Sequence, residues 1–106
     1  MAHTLVELRI AGNLLRELPR SFCDLVNLEI LDAKRNKLTV LPAEFGCLQK
    51  LLKLDLEENQ IAKVENFMQT LQTLTHLNLA KNKIAHIDED AFSMLKNLVE
   101  LDLHQN

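Results

Sequence analysis

Apolar and polar residues alternate in short stretches along this chain, and the stretches return at a fixed interval. Leu54-Asp55-Leu56 and Leu77-Asn78-Leu79 have a period of two, the pattern of a short strand with one buried face. A helix is the rival reading, because Leu25, Leu28 and Leu31 are spaced by three. That spacing is not sustained and the alternating stretches interrupt it, so the pattern predicts strands rather than a helical bundle.

The interval is set by an asparagine. Asn13, Asn36, Asn59, Asn82 and Asn106 are separated by 23, 23, 23 and 24 residues, and each follows the same apolar frame. Leu5, Leu8, Ile10, Asn13 and Leu15 fit L-x-x-L-x-L-x-x-N-x-L, as do Leu28, Leu31, Ala33, Asn36 and Leu38. Leu51, Leu54, Leu56, Asn59 and Ile61 repeat it, then Leu74, Leu77, Leu79, Asn82 and Ile84; a fifth copy opens with Leu98, Leu101 and Leu103. The units run 5–27, 28–50, 51–73, 74–97 and, in part, 98–106.

These copies resemble the leucine-rich repeat family over essentially the whole chain. The resemblance implies an α/β solenoid, a horseshoe with short parallel strands on its concave face. Irregular, short helical or 3₁₀ return arms would then lie on the convex face. It also implies an asparagine ladder of Asn13, Asn36, Asn59 and Asn82, and a binding surface on the concave sheet. The ladder has a physical basis: a chain turning out of a strand leaves backbone groups without partners, and a carboxamide both donates and accepts.

The return arms carry their own pattern. Leu18-Pro19 and Leu41-Pro42 follow the asparagine at one interval, then come Phe22 and Phe45, then Leu25 and Leu48. Proline fixes φ and has no donor, which suits a turning arm. The third arm keeps Val64 and Leu71, has Glu65 in place of proline, and offers both Phe67 and Met68 for the aromatic slot. In the fourth, Ile87, Phe92 and Leu95 place the extra residue around Asp88 to Ala91. The phenylalanines and Met68 read as core. Asp88-Glu89-Asp90 could start a helix with a favourable dipole interaction.

Composition adds limits. The chain has 106 residues, of which 23 are leucine; 47% apolar and 25% charged residues argue for a folded domain. No apolar run approaches the ~18 residues of a membrane span. Met1 is followed by His3, Glu7 and Arg9 rather than a basic stretch and an apolar block, so no secretory signal is visible. Cys23 and Cys47 are too few for a disulfide framework and sit in no Cys-x-x-Cys pair. They read as two thiols in a reducing compartment, with a bridge or metal pair as the sharper alternative.

No catalytic constellation appears. Gly12 and Gly46 are isolated, so no phosphate loop is possible. His3, His76, His86 and His104 fall in different units without metal-site spacing, and Ser21 and Ser93 have no nucleophile motif. The expectation is therefore neither an enzyme nor a cofactor carrier.

Function is expected on the variable positions of the repeat. One column reads Arg9, Asp32, Asp55, Asn78 and Asp102; another Glu7, Ile30, Lys53, His76 and Glu100. Near the asparagines lie Ala11, Lys34, Glu57, Ala80 and His104, then Gly12, Arg35, Glu58, Lys81 and Gln105; the last column is Val6, Glu29, Leu52, Thr75 and Val99. These columns hold eight acidic and five basic residues, so the whole net charge of −3 falls on this face. Lys34 beside Glu57, and Arg35 and Lys81 beside Glu58, read as cross-strand pairs. Asp32 beside Asp55 is unfavourable unless Arg9 or Lys53 relieves it. The alternative is that Asp32, Asp55 and Asp102 receive lysine or arginine from a partner.

The partner-binding set is accordingly Arg9, Asp32, Asp55, Asn78, Asp102, Lys53, His76, Glu57 and Glu58. The reading is a protein-interaction module for a protein partner with a basic patch, in intracellular scaffolding or signalling, located in the cytoplasm. A slightly acidic chain attracts neither nucleic acid nor a membrane surface. Alternatives are an extracellular, receptor-type ligand-recognition fragment, or a targeting region of a larger multidomain enzyme. Neither end carries a recognisable cap, so the chain is expected to be a piece of a longer array.

Overall fold

The computed structural model describes residues 4–41 and 43–106, leaving Pro42 of the second arm outside the described residues, together with His3. Each alternating stretch forms a three-residue strand: β1 (Glu7–Arg9), β2 (Ile30–Asp32), β3 (Lys53–Asp55), β5 (His76–Asn78) and β7 (Glu100–Asp102). They pair in parallel in the order β1-β2-β3-β5-β7. The register is the repeat itself: Glu7, Ile30, Lys53, His76 and Glu100 lie side by side, as do Arg9, Asp32, Asp55, Asn78 and Asp102. The expected leucine-rich repeat solenoid is what forms.

Between these two rows, the central leucine of each strand points inward. Leu31, Leu54 and Leu77 are buried, with Leu28, Leu51 and Leu74 before them and Ala33, Leu56 and Leu79 after. Burial of an aliphatic side chain contributes about 1.5–3 kcal/mol, so this stack of leucines is the main stabilising element. The outer coils are more open: Leu5, Leu8 and Ile10 are only partly buried, and Leu101 is exposed.

Past the strands the ladder continues while the chain turns. Ile10, Ala33, Leu56 and Leu79 donate their N–H to the carbonyls of Asp32, Asp55, Asn78 and Asp102 at 2.8–2.9 Å. Arg35, Glu58, Lys81 and Gln105 then adopt positive φ of 54–57°, where Gly12 stands in the first coil. A left-handed residue costs a non-glycine side chain about 1 kcal/mol, yet it turns the strand outward. It also brings the following asparagine over the core.

There Asn36, Asn59 and Asn82 are buried and bridge adjacent coils. The Asn36 Oδ1 accepts the N–H groups of Asn13 and Leu15, both at 3.0 Å, and its Nδ2 donates to the carbonyls of Ile10 (2.9 Å) and Ala33 (3.0 Å). Asn59 accepts from Leu38 at 3.1 Å and donates to Ala33 and Leu56; Asn82 accepts from Ile61 at 3.1 Å and donates to Leu56 and Leu79. Asn106 makes the same set with Ile84, Leu79 and Leu103. Asn13 differs: it is exposed, and among the described residues its Nδ2 reaches only Ile10 of its own coil.

The arms are 3₁₀ turns at Arg20–Asp24, Ala43–Cys47 and Asn66–Thr70. Phe22 and Phe45 stack at 6.0 Å between ring centroids. Of the two residues expected for the third aromatic slot, Met68 is buried and Phe67 only partly so. In the fourth arm that slot is filled by buried Ala91, with Phe92 partly buried. Because Phe45, Met68 and Ala91 keep the 23-residue step, the extra residue enters after Ala91, not before it as the sequence pattern implied. That arm is a series of turns, so Asp88-Glu89-Asp90 starts no helix. Instead β4 (Lys63–Val64) and β6 (His86–Ile87) form a second small parallel sheet.

The cysteines depart from expectation. Cys23 and Cys47 are joined by a disulfide between the first and second arms, with Cα atoms 5.2 Å apart, inside the usual range for such a bridge. A separation of 24 residues gives no local hint of this. Stacking of consecutive coils is what brings Cys23 against Cys47, one position past its equivalent in the next arm.

Candidate functional site

The sheet presents two solvent-facing rows to either side of its buried leucines. A depression of about 300 Å³ lies across them, lined among others by Arg9, Ile30, Asp32, Lys53, Asp55 and His76. Asn78 and Glu100 complete its far side. Thus seven of the nine residues expected to bind a partner lie in or beside this row system, while Glu57 and Glu58 flank it on the turn.

The aspartate row has a second role that the sequence reading missed. Asp55 Oδ1 accepts the N–H of Glu57, Asn78 Oδ1 that of Ala80, and Asp102 Oδ1 that of His104, each at 3.0 Å; Asp32 does the same for Lys34 at 3.3 Å. A side-chain oxygen that caps the N–H two residues ahead holds the outward turn, a task Asp and Asn share. The preference for Asp or Asn in this column was the available signal.

Local capping uses one oxygen of each carboxylate, and ion pairing then divides the row. Asp32 receives Arg9 and Lys34, both at 3.7 Å, and Arg9 also pairs with Glu7. Arg9 therefore relieves Asp32, one of the two options anticipated. Asp102 is met by the His104 ring, whose hydrogen bond holds the carboxyl below its ordinary range. Asp55 has no ion-pair partner among the described residues. Burial pushes its carboxyl up, the negative charges of Asp32 and Glu57 add to this, and the Glu57 N–H and nearby Lys34 oppose it.

Flanking charges are arranged differently from the simple cross-strand scheme. Lys34 turns back to Asp32 of its own coil rather than to Glu57. Glu57 Oε1 instead accepts Asn78 Nδ2 at 2.9 Å, since the amide in the neighbouring strand is within direct reach. Glu58 and Lys81 do approach, at 4.0 Å. Lys53 is exposed, and His76 Nδ1 lies 2.9 Å from Thr75 Oγ1.

Away from the sheet face, Asp88 gathers His86 (3.0 Å), Lys63 (3.6 Å) and the Asn66 N–H (3.1 Å). Desolvation would raise its carboxyl, but these three contacts together hold it below the ordinary range. Among the described residues no cluster of His, Cys, Asp and Glu has the composition of a metal site. No helix among them is long and apolar enough to cross a membrane.

No curated protein sequence matches the chain. Among solved structures, TLR13 in its complex with ssRNA13 superposes with a TM-score of 0.87 at 28% identity over 94% of this chain. The leucine-rich repeat domain of APL1B does so with a TM-score of 0.85 at 27% identity over 95%. The chain spans only 14% of the former and 31% of the latter. Because TLR13 is in a complex with ssRNA, this likeness gives no support to the expectation that nucleic acid is excluded as a partner. A leucine-rich repeat model matches residues 3–61 and 63–106, spanning every coil described above. The chain belongs to the leucine-rich repeat family.

Proposed function

We propose that this chain is a protein-interaction module that holds its partner on the exposed face of β1, β2, β3, β5 and β7. The observation that carries the reading is the register. Five strands line up charged and amide side chains in two rows around a depression, on a frame held rigid by buried leucines and asparagines. Leucine-rich repeat domains are generally binding modules rather than catalysts, which agrees with this use of the face. The variable columns span about the number of positions that a standard protein interface takes from each side.

A protein is favoured over RNA because eight acidic residues against five basic ones on these columns repel phosphates. The setting we favour is also changed by the arms. The Cys23–Cys47 bridge supports work in an oxidising compartment, with receptor-type recognition, over cytoplasmic scaffolding.

The test compares capture by the wild type, by a face variant (Ile30→Lys with His76→Lys) and by an arm variant (Glu89→Arg). Neither face position caps a turn, so the fold is left alone. A defined protein captured by the wild type and the arm variant, and lost with the face variant, is the expected result. Recovery of RNA in its place, or capture that follows the arm rather than the face, would overturn the proposal.

A further inference from the structure

We propose that Asp55 is the docking point for an arginine or lysine side chain on an extended segment of the protein partner. This rests on the sheet face being the binding surface and says which residue of it selects the partner.

The argument is one of unequal neutralisation. Three aspartates share a register and the same capping task, yet Asp32 has two cations beside it and Asp102 has an imidazole. Asp55, on the central strand of the five, has neither. Two neighbours make matters worse: Asp32 lies opposite on β2, and Glu57, held in place by Asn78, lies two residues ahead. Two carboxylates thus crowd the half-buried Asp55, whose nearest basic residue on its own strand, Lys53, is exposed and unpaired with it. Only one Asp55 oxygen is used by the backbone, and the other remains for a donor from outside.

The shape of the surroundings fits a side chain better than a bare ion. The depression is about 300 Å³, and half-buried Ile30 lines it beside Asp55. A lysine or arginine has an apolar stem that packs on such a surface while its head meets the carboxylate. An arginine head would also find the remaining acceptor capacity of Asn78 Oδ1 alongside.

An unpaired carboxylate among like charges lowers the stability of the free protein, a cost that binding would remove. That gives the proposal a signature distinct from a purely structural role: replacing Asp55 should weaken binding without weakening the fold. Asparagine is the right replacement, since Asn78 already caps the equivalent turn in the next coil.

The experiment selects from a phage-displayed library of random linear peptides on the wild-type domain. The expected result is enriched peptides sharing an arginine or lysine. Replacing that residue by glutamine, or using Asp55→Asn, should each weaken binding about tenfold or more. Asp32→Asn and Asp102→Asn should have clearly smaller effects, and the melting temperature of Asp55→Asn should be equal to or above wild type. Absence of enriched peptides, enrichment of peptides without a basic residue, or an equal loss in all three variants overturns the proposal. Peptides insensitive to Asp55→Asn but lost with Ile30→Lys and His76→Lys would defeat this inference alone. Peptides insensitive to both would defeat the face reading as well.

Discussion

Asp55 and Asn78 lie opposite each other in adjacent strands, and their side chains perform one task with different charge: each Oδ1 accepts the N–H two residues ahead at 3.0 Å. A charge that the turn does not need is therefore present at Asp55. Asp55→Asn should leave the fold intact and stabilise it by a few tenths of a kcal/mol at neutral pH, because it removes a like-charge contact with Asp32 that water partly screens. Urea unfolding at neutral pH checks this; a loss of stability would contradict it.

The same carboxylates should titrate in a defined order. Burial raises Asp55, whereas the His104 contact lowers Asp102 and the His86, Asn66 and Lys63 contacts lower Asp88. The signs for stability are opposite. Between Asp55's ordinary and raised values the folded chain binds the proton more readily than the unfolded one, so stability rises as pH falls there. The contribution of Asp102 and Asp88 is present above their ordinary value and is lost as pH falls through the lowered one. Carboxyl carbon NMR titration should place Asp55 above Asp102 and Asp88, and the advantage of Asp55→Asn should fade as pH falls through the Asp55 transition.

Asn59 makes two bonds to the preceding coil, with Leu38 and Ala33, and one to Leu56 in its own, while almost fully buried at 6% exposure. Asn59→Leu leaves the Leu38 N–H and two carbonyls without that partner and should cost about 1–3 kcal/mol. Asn13→Leu should cost much less, because that side chain is exposed and bonds only within its coil. Thermal melts of the two variants compare them directly.

The bridge closes a loop 24 residues apart in sequence, so removing it by Cys23→Ser with Cys47→Ser should lower stability by about 2–4 kcal/mol. Reduction of the wild type by a thiol reagent should produce the same shift, measured by urea unfolding with and without reductant. Free-thiol titration of protein made in an oxidising compartment should find none.

Close approach of the second and third arms depends on Gly46. A Cβ placed there would meet Thr70 Oγ1 at 2.7 Å, and that hydroxyl is itself fixed by the Phe67 carbonyl at 2.7 Å. Gly46→Ala should cost about 1–3 kcal/mol. Adding Thr70→Ala removes the clashing oxygen and should recover most of the loss, a double-mutant coupling read from denaturant midpoints.

How much of this was legible beforehand differs by residue. Asn36, Asn59 and Asn82 announced themselves through spacing, and the strands through alternation, because a repeated coil imposes one period on every buried position. Met68 and Ala91 were less legible, since either of two neighbouring apolar residues satisfies the arm pattern. The pairing inside the columns was legible only in part: Arg9 meets Asp32 and Lys81 approaches Glu58 as anticipated, whereas Lys34 chooses Asp32 over Glu57.

The sequence by itself determined the coil, its register and the inward leucines, for these depend on periodicity alone. Only the tertiary structure decided that Cys23 meets Cys47, that the aspartate column caps its own turns, and that Asp32 is neutralised while Asp55 is not. Those outcomes depend on distances of a few ångströms between side chains one repeat apart. The physical reason is that period sets which residues are neighbours, whereas reach and burial set which neighbours bond.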